Sequence, residues 1–399
     1  MSRKQILFFI LLFCLNPFIG TLSLLIEKMI VNKRDIYSDF LVFFFLMSFA
    51  ILLQCTHIWD PSKPSDWYND GYWGLFNQAK NYSFIGYLFD YQTPRESLWL
   101  AINYIGYYLT GGNYHLFINF IAILTFFIYA YSIYLYWKYI GAQSIVLISM
   151  LVFSLFFIEF WDQVNNLIRQ FFATSIIIYV YVKKITSNKI NWWLLFSAGL
   201  IHTLCFIYVP LLLFKPFSSK IKIKQLFYLL LTVLIVIVAL NQISFLKMIF
   251  TGIDFLAYGL TRLENADNPN DTNFLNPTSV YITTIIVVCV CIIMNYMNNK
   301  DKKTYFFTNI LMVLMILSAG ILNLMPEIAG RIYTARFYFW SFVLPLFMAK
   351  YKSINTIYAW GIIIFFFTRF LISFDGIRGG GFYPPIADLL PRTLIQYLI

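Results

Sequence analysis

The sequence predicts an all-α integral membrane protein, a polytopic bundle of about eleven or twelve transmembrane helices. Three observations carry that prediction. Hydrophobic residues make up 60% of the chain and charged residues 12%, with a mean hydropathy of +0.72, whereas a soluble domain is closer to half apolar and a quarter charged. The apolar residues fall in long runs, each near the roughly 20 residues that one crossing consumes. The basic residues are also sorted. Lysines gather between apolar runs (Lys183, Lys184 and Lys189; Lys215 to Lys224; Lys300 to Lys303; Lys350 and Lys352), joined there by Arg34. Arg95, Arg169, Arg262, Arg331, Arg336, Arg369 and Arg378 sit near the opposite ends of the same runs. Lysine-rich loops are what the positive-inside rule asks of the cytoplasmic side, so the net charge of +11 reads as contact with anionic lipid, not with nucleic acid.

Taken in order, the apolar runs are residues 5–27, 36–57, 114–137, 143–159, 166–182, 190–214, 225–245, 277–297, 304–325, 334–349 and 353–373, all within one membrane domain of residues 1–399. The first resembles a signal peptide at its basic start, but no small-residue cleavage site follows, and it reads as a retained span. Residues 59–113 form an outer loop whose aromatics (Tyr68, Tyr72, Phe76; Trp99, Tyr104, Tyr107, Tyr108) recur at helical spacing, as interfacial helices require. Residues 190–214 break the alternation of sides. Counted as one crossing, they would put Lys215, Lys220, Lys222 and Lys224 outside. A hairpin of two short helices turning near Gly199 to Thr203 removes the conflict, and Ser197, His202, Thr203 and Pro210 suit a broken element lining a cavity. Residues 244–276 and 374–399 complete the outer face as a loop and a tail. The five cysteines lie within or beside apolar runs and are odd in number, which speaks against a disulfide framework or a zinc site.

With this topology most of the acids also face outward, so polar chemistry concentrates on the extracytoplasmic side. Arg169 stands about one turn inside a span, in Asn165-Asn166-Leu167-Ile168-Arg169-Gln170, where a charge costs up to about 3 kcal/mol and normally faces a cavity or a partner. The bland alternative is an ion pair of Arg169 with Asp162 or Glu159. His202 at the hairpin tip can donate a hydrogen bond or carry a proton, although a lone apolar-segment histidine is usually a packing residue. Arg331 and Arg336 flank the start of a later span, one suited to phosphate and the other to pairing with Glu327. Asp70, Arg95 and Glu96 supply the charges of the first outer loop. Arginine forks near apolar sequence suit a flat anion such as a diphosphate. No P-loop, dinucleotide fingerprint, zinc-protease helix or DxD metal motif occurs in the chain, and no cofactor or metal is called for.

These residues, in this order, resemble the EpsG-like branch of the bacterial Wzy polysaccharide polymerases. The matching features are Asp70 with Tyr72, Glu96, then Asn166, Arg169, Gln170 and Ala173 in an N-x-x-R-Q-x-x-A helix, then His202, and late Arg336 with Tyr338. The family commonly has Gly-Thr before its aspartate, where Asn69 precedes Asp70 here. The resemblance implies a GT-C-like, metal-independent glycosyltransferase of the bacterial cytoplasmic membrane. Its substrates would be undecaprenyl-diphosphate-linked oligosaccharides, polymerised on the outer face among membrane lipids, with a flippase and a chain-length regulator as partners. It casts Arg169, His202, Glu96 and Arg336 as catalytic. Asp70, Tyr72, Arg95, Asn166, Gln170, Arg262, Arg331 and Tyr338 are cast as substrate-binding. Two other readings stay open: a different lipid-linked sugar transferase, such as an O-antigen ligase or an enzyme using a polyprenyl-phosphate sugar, and a lipid-linked oligosaccharide transporter.

Overall fold

The computed structural model describes residues 1–31, 33–58, 72–89, 96–213, 215–220, 276–297, 304–349, 355–379 and 382–398, with positions 224, 225, 227, 228, 231 and 235. Every regular element among them is helical, and the protein is an all-α, multi-pass membrane protein. The helices divide into two compact units, residues 1–209 with 344–399, and residues 210–343.

In the first unit the chain runs through α1 (Arg3–Leu15), α2 (Pro17–Val31), α3 (Ile36–Cys55), α4 (Tyr72–Gln78), α5 (Phe84–Phe89), α6 (Ser97–Leu109) and α7 (Tyr114–Ile140). It continues through α8 (Ser144–Leu155), α9 (Ile158–Asn166), α10 (Ile168–Ser187), α11 (Trp192–Ile201) and the start of α12 (Tyr208–Leu213). The expected single first span is corrected to two helices. Asn16 leaves helical geometry, accepts from the Ile19 N–H at 2.8 Å and donates to the Leu390 carbonyl at 2.9 Å. Pro17 follows, which has no N–H to continue a helix but suits a first turn. The chain folds back there, and Gly20 comes so close to the Phe13 backbone that a Cβ has no room.

The centre of the unit is α3 and α7, which pack with α8 and α10; α10 also packs on α11. Capping residues set the ends of these helices. The Asn113 side chain accepts from the Leu116 N–H at 3.0 Å and starts α7, while Gly141, at φ 75°, ends it. Lys28 of α2 is buried against Asp39 of α3 at 2.9 Å and Ser38 at 2.8 Å, as a charge within an apolar helix requires. Helices α4 to α6 are too short to cross; α6, at 13 residues, is about 20 Å long. They bury Phe76, Tyr87 and Trp99 and leave Trp73, Phe84, Ile85, Phe89, Tyr108 and Leu109 exposed, the two-faced pattern of helices lying at a membrane surface.

The second unit contains α13 (Pro277–Met297), α14 (Tyr305–Ile321) and most of α15 (Pro326–Ala349). Asn295 of α13 donates to Asn309 of α14 at 2.9 Å, and Asn309 donates in turn to the Phe217 and Ser219 carbonyls. Phe307 stacks on Phe342 of α15, ring centroids 4.2 Å apart. Ile282, Ile285, Ile286 and Ile293 of α13 stay exposed, a surface suited to lipid. The first unit then ends with α16 (Asn355–Ser373), α17 (Ile386–Leu389) and α18 (Leu394–Leu398).

Among the described residues four helices are long and apolar enough to cross a membrane, and five when α8 and α9, bent by 47°, count as one span. Hydropathy alone suggests eleven or twelve. Helix breaks at Asn16-Pro17, at the α8–α9 bend and at His202 divide three of the apolar runs into shorter helices. The run 225–245 and the loop 244–276 lie largely or wholly outside the described residues.

Candidate active site

Three elements of the first unit meet at one carboxylate. Glu96 is the residue at which α6 begins, its carbonyl accepting from the Leu100 N–H at 3.1 Å. Its side chain is held from two directions. One oxygen accepts from Nη1 of Arg169, the second residue of α10. The other accepts from the backbone N–H of Thr203 at 3.3 Å. Thr203 follows His202, where the chain leaves α11 in an extended conformation (φ −147°, ψ 115°) and turns into a 3-10 segment. Glu96 therefore joins the Arg169 helix to the break beside His202.

Each part of this arrangement has a local cause. Leu167 interrupts the helix between α9 and α10, so Arg169 projects from the first turn of a new helix and not from mid-span. Gly199 permits the hairpin, because the Phe206 ring lies where a Cβ would stand. The hairpin is then fastened to α10: Tyr181 Oη donates to the Tyr208 carbonyl, and Thr174 Oγ1 lies 3.9 Å from Cys205 Sγ. The side chains of Arg169 and Glu96 keep 25% and 10% of their surface accessible. The pair is thus mostly out of water but reachable, a setting in which ion-pair partners interact strongly and a second anion can still approach.

The expected alternative pairing of Arg169 with Asp162 or Glu159 is corrected. Arg169 pairs with Glu96, 73 residues away in sequence, and Glu159 pairs with Arg369 of α16. Of the other residues singled out, Asn166 closes α9 half-buried, and Gln170 is buried beside Arg169 on α10. Tyr72 opens α4. Asp70, Arg95 and Arg262 lie outside the described residues. In the second unit, Arg331 pairs with Glu327 one turn away at 2.6 Å, and Tyr338 is fully buried. Arg336 donates to the Tyr333 carbonyl at 2.7 Å and lies over the Tyr333 and Phe337 rings, 3.3 and 4.2 Å from their centroids. Its charge is shared with aromatic faces of its own helix.

Sequence reasoning missed a largely buried polar cluster that reaches the end of α9: Gln54, His57, His115, Asn119, Asn165 and Tyr383. Gln54 donates to Asn119 at 3.0 Å and to Asn165 at 3.1 Å, and accepts from Tyr383 Oη at 2.9 Å. Two amides within apolar spans, Gln54 and Asn119, are the signal that would have found it, since each is costly there without a partner.

The EpsG family model matches residues 40–384, most of the chain. This protein belongs to the EpsG family. No curated protein and no solved structure matches it. The matched range contains Glu96, Arg169 and His202 together with the spans that carry them, and membership makes the chain a membrane protein of polysaccharide biosynthesis and suggests a polysaccharide polymerase.

Proposed function

We propose that this EpsG-family protein polymerises lipid-linked oligosaccharide repeat units on the outer face of the bacterial cytoplasmic membrane. The donor is a growing chain on undecaprenyl diphosphate and the acceptor is the terminal sugar of an incoming unit. The observation that carries the reading is the carboxylate of Glu96 gripping both Arg169 and the turn beside His202. An arginine held at a helix start, partly shielded from water, suits the charge that develops on a departing diphosphate, and electrostatic stabilisation of this kind usually contributes more to catalysis than any other single effect. The acceptor hydroxyl oxygen bonds to the anomeric carbon as the bond to the diphosphate breaks; the diphosphate keeps the electron pair. Both Glu96 oxygens already accept hydrogen bonds, so we assign the hydroxyl proton to His202 and give Glu96 the task of orienting the Arg169 fork. Asn166 and Gln170 are proposed as supports of the Arg169 turn, and Asp70, Tyr72 and Arg95 as contacts to the sugar chain or lipid headgroup. The architecture is proposed to be GT-C-like and the reaction metal-independent; loss of activity with EDTA, restored by Mg2+, would contradict the latter.

Product length tests the reading. Polysaccharide from a gene-deletion strain carrying the wild-type chain should run as a ladder on a gel. A product extended by a single unit would favour a ligase or a monosaccharide transferase instead.

A further inference from the structure

We infer that Gln54 is a positioning residue for the Arg169 helix, and that it works through a relay of amides whose hydrogen-bond direction is fixed from end to end. The direction follows from one backbone group. A carbonyl oxygen can only accept, so the atom of Asn165 lying 2.9 Å from the Trp161 carbonyl is its nitrogen. The other amide atom of Asn165 is then an oxygen, and Gln54 must face it with Nε2, at 3.1 Å. That same Nε2 spends its second hydrogen on Asn119 at 3.0 Å, which must present Oδ1. Asn119 therefore turns Nδ2 toward His115, 3.0 Å away, and the ring nitrogen receiving it, Nε2, must be bare. His57 Nδ1 lies 3.4 Å from the same lone pair. Tyr383 closes the relay by donating to Gln54 Oε1 at 2.9 Å, with its ring edge-on to Trp161.

Asn165 is in the last turn of α9, one residue before its end, and Arg169 stands four residues further on, just past the break at Leu167. Gln54 is fully buried, as is Asn165. The relay thus pins the turn from which the arginine helix restarts, and it joins α3, α7, α9 and the segment carrying Tyr383. A small displacement of a ligand that must meet a transition state is enough to lose about tenfold or more in rate. For its consequence on activity the inference rests on Arg169 being the diphosphate ligand; for the direction of the relay it does not.

The test uses the full chain in nanodiscs, labelled with 15N-histidine. Three histidines give three ring systems, assigned by single replacements. The wild type should show His115 with a bare Nε2 and a protonated Nδ1. Gln54→Glu, read at a pH high enough to ionise the introduced carboxyl, supplies a group that only accepts, so Asn119 must turn its nitrogen toward residue 54 and its oxygen toward the ring, and His115 Nε2 should gain a proton. Asn119→Asp should do the same and serves if Gln54→Glu is poorly produced. A protonated Nε2 in the wild type, or an unchanged ring in both variants, overturns the relay. Inserted Gln54→Glu should also form about tenfold less polymer or lower, and undiminished polymer overturns the positioning role. Full polymer from Arg169→Lys would instead overturn the functional reading, while the ring spectra still decide the relay.

Discussion

Arg169 and Glu96 illustrate what a charge pair does inside a membrane protein. Neither group is stable alone in an apolar setting, and each is the other's main compensation. Glu96→Ala leaves the guanidinium without its carboxylate and should cost about 3 kcal/mol of stability, the lower end for breaking a buried pair. Glu96→Gln keeps the shape and one acceptor, and should insert normally yet polymerise poorly, measured as polymer per unit of membrane-bound protein. His202→Ala separates chemistry from structure: turnover should fall by about 100-fold or more while binding of the lipid-linked donor stays near wild type. A histidine that only packs would instead lower the yield of folded protein. The sequence singled out Arg169 and Glu96 because charges are scarce in apolar sequence and expensive there. The bland alternative for Arg169 named Glu159 or Asp162 because they are neighbours in sequence, whereas the contact to Glu96 exists only after α6 and α10 have packed. Gln54 left a weaker trace, a single amide in an apolar run, since an uncharged amide barely alters the hydropathy of its run.

Helix interruptions decide where these side chains point. The α9–α10 break at Leu167 puts Arg169 at a helix start, and the break at His202 brings the Thr203 N–H onto Glu96. Hydropathy shows long apolar runs but not where a run bends, which is why residues 5–27 read as one span while Asn16 and Pro17 divide them. Lysine placement points to residues 190–214 as a place where a turn would keep Lys215 to Lys224 on the inner side, and α11 ends there at His202 in an extended conformation. The hairpin depends on the close approach of Gly199 to Phe206. Gly199→Leu should therefore lower the thermal midpoint of the purified protein, through about 1–3 kcal/mol of overpacking. Adding Phe206→Ala should recover much of the loss. Recovery absent in the double variant would show that the two side chains do not compete for that space.

At the scale of the whole molecule we propose that charge is sorted by side, with the lysine-rich loops and Arg34 facing inward and Glu96, Arg169 and helices α4 to α6 facing outward. Reactivity of introduced cysteines checks this directly. In a chain whose five natural cysteines are replaced, residue 113 should react with an impermeant maleimide added outside intact cells, and residue 220 should react only after permeabilisation. Labelling of residue 220 from outside would reverse the assignment of sides and remove the reason for a hairpin. The proposed activity depends above all on the guanidinium fork of Arg169, because lysine at that position keeps the charge and loses the paired, planar donors. The decisive measurement is the polysaccharide ladder formed by Arg169→Lys in a deletion strain, normalised to inserted protein. We predict single repeat units and no ladder; a ladder of wild-type length and intensity would contradict the assignment.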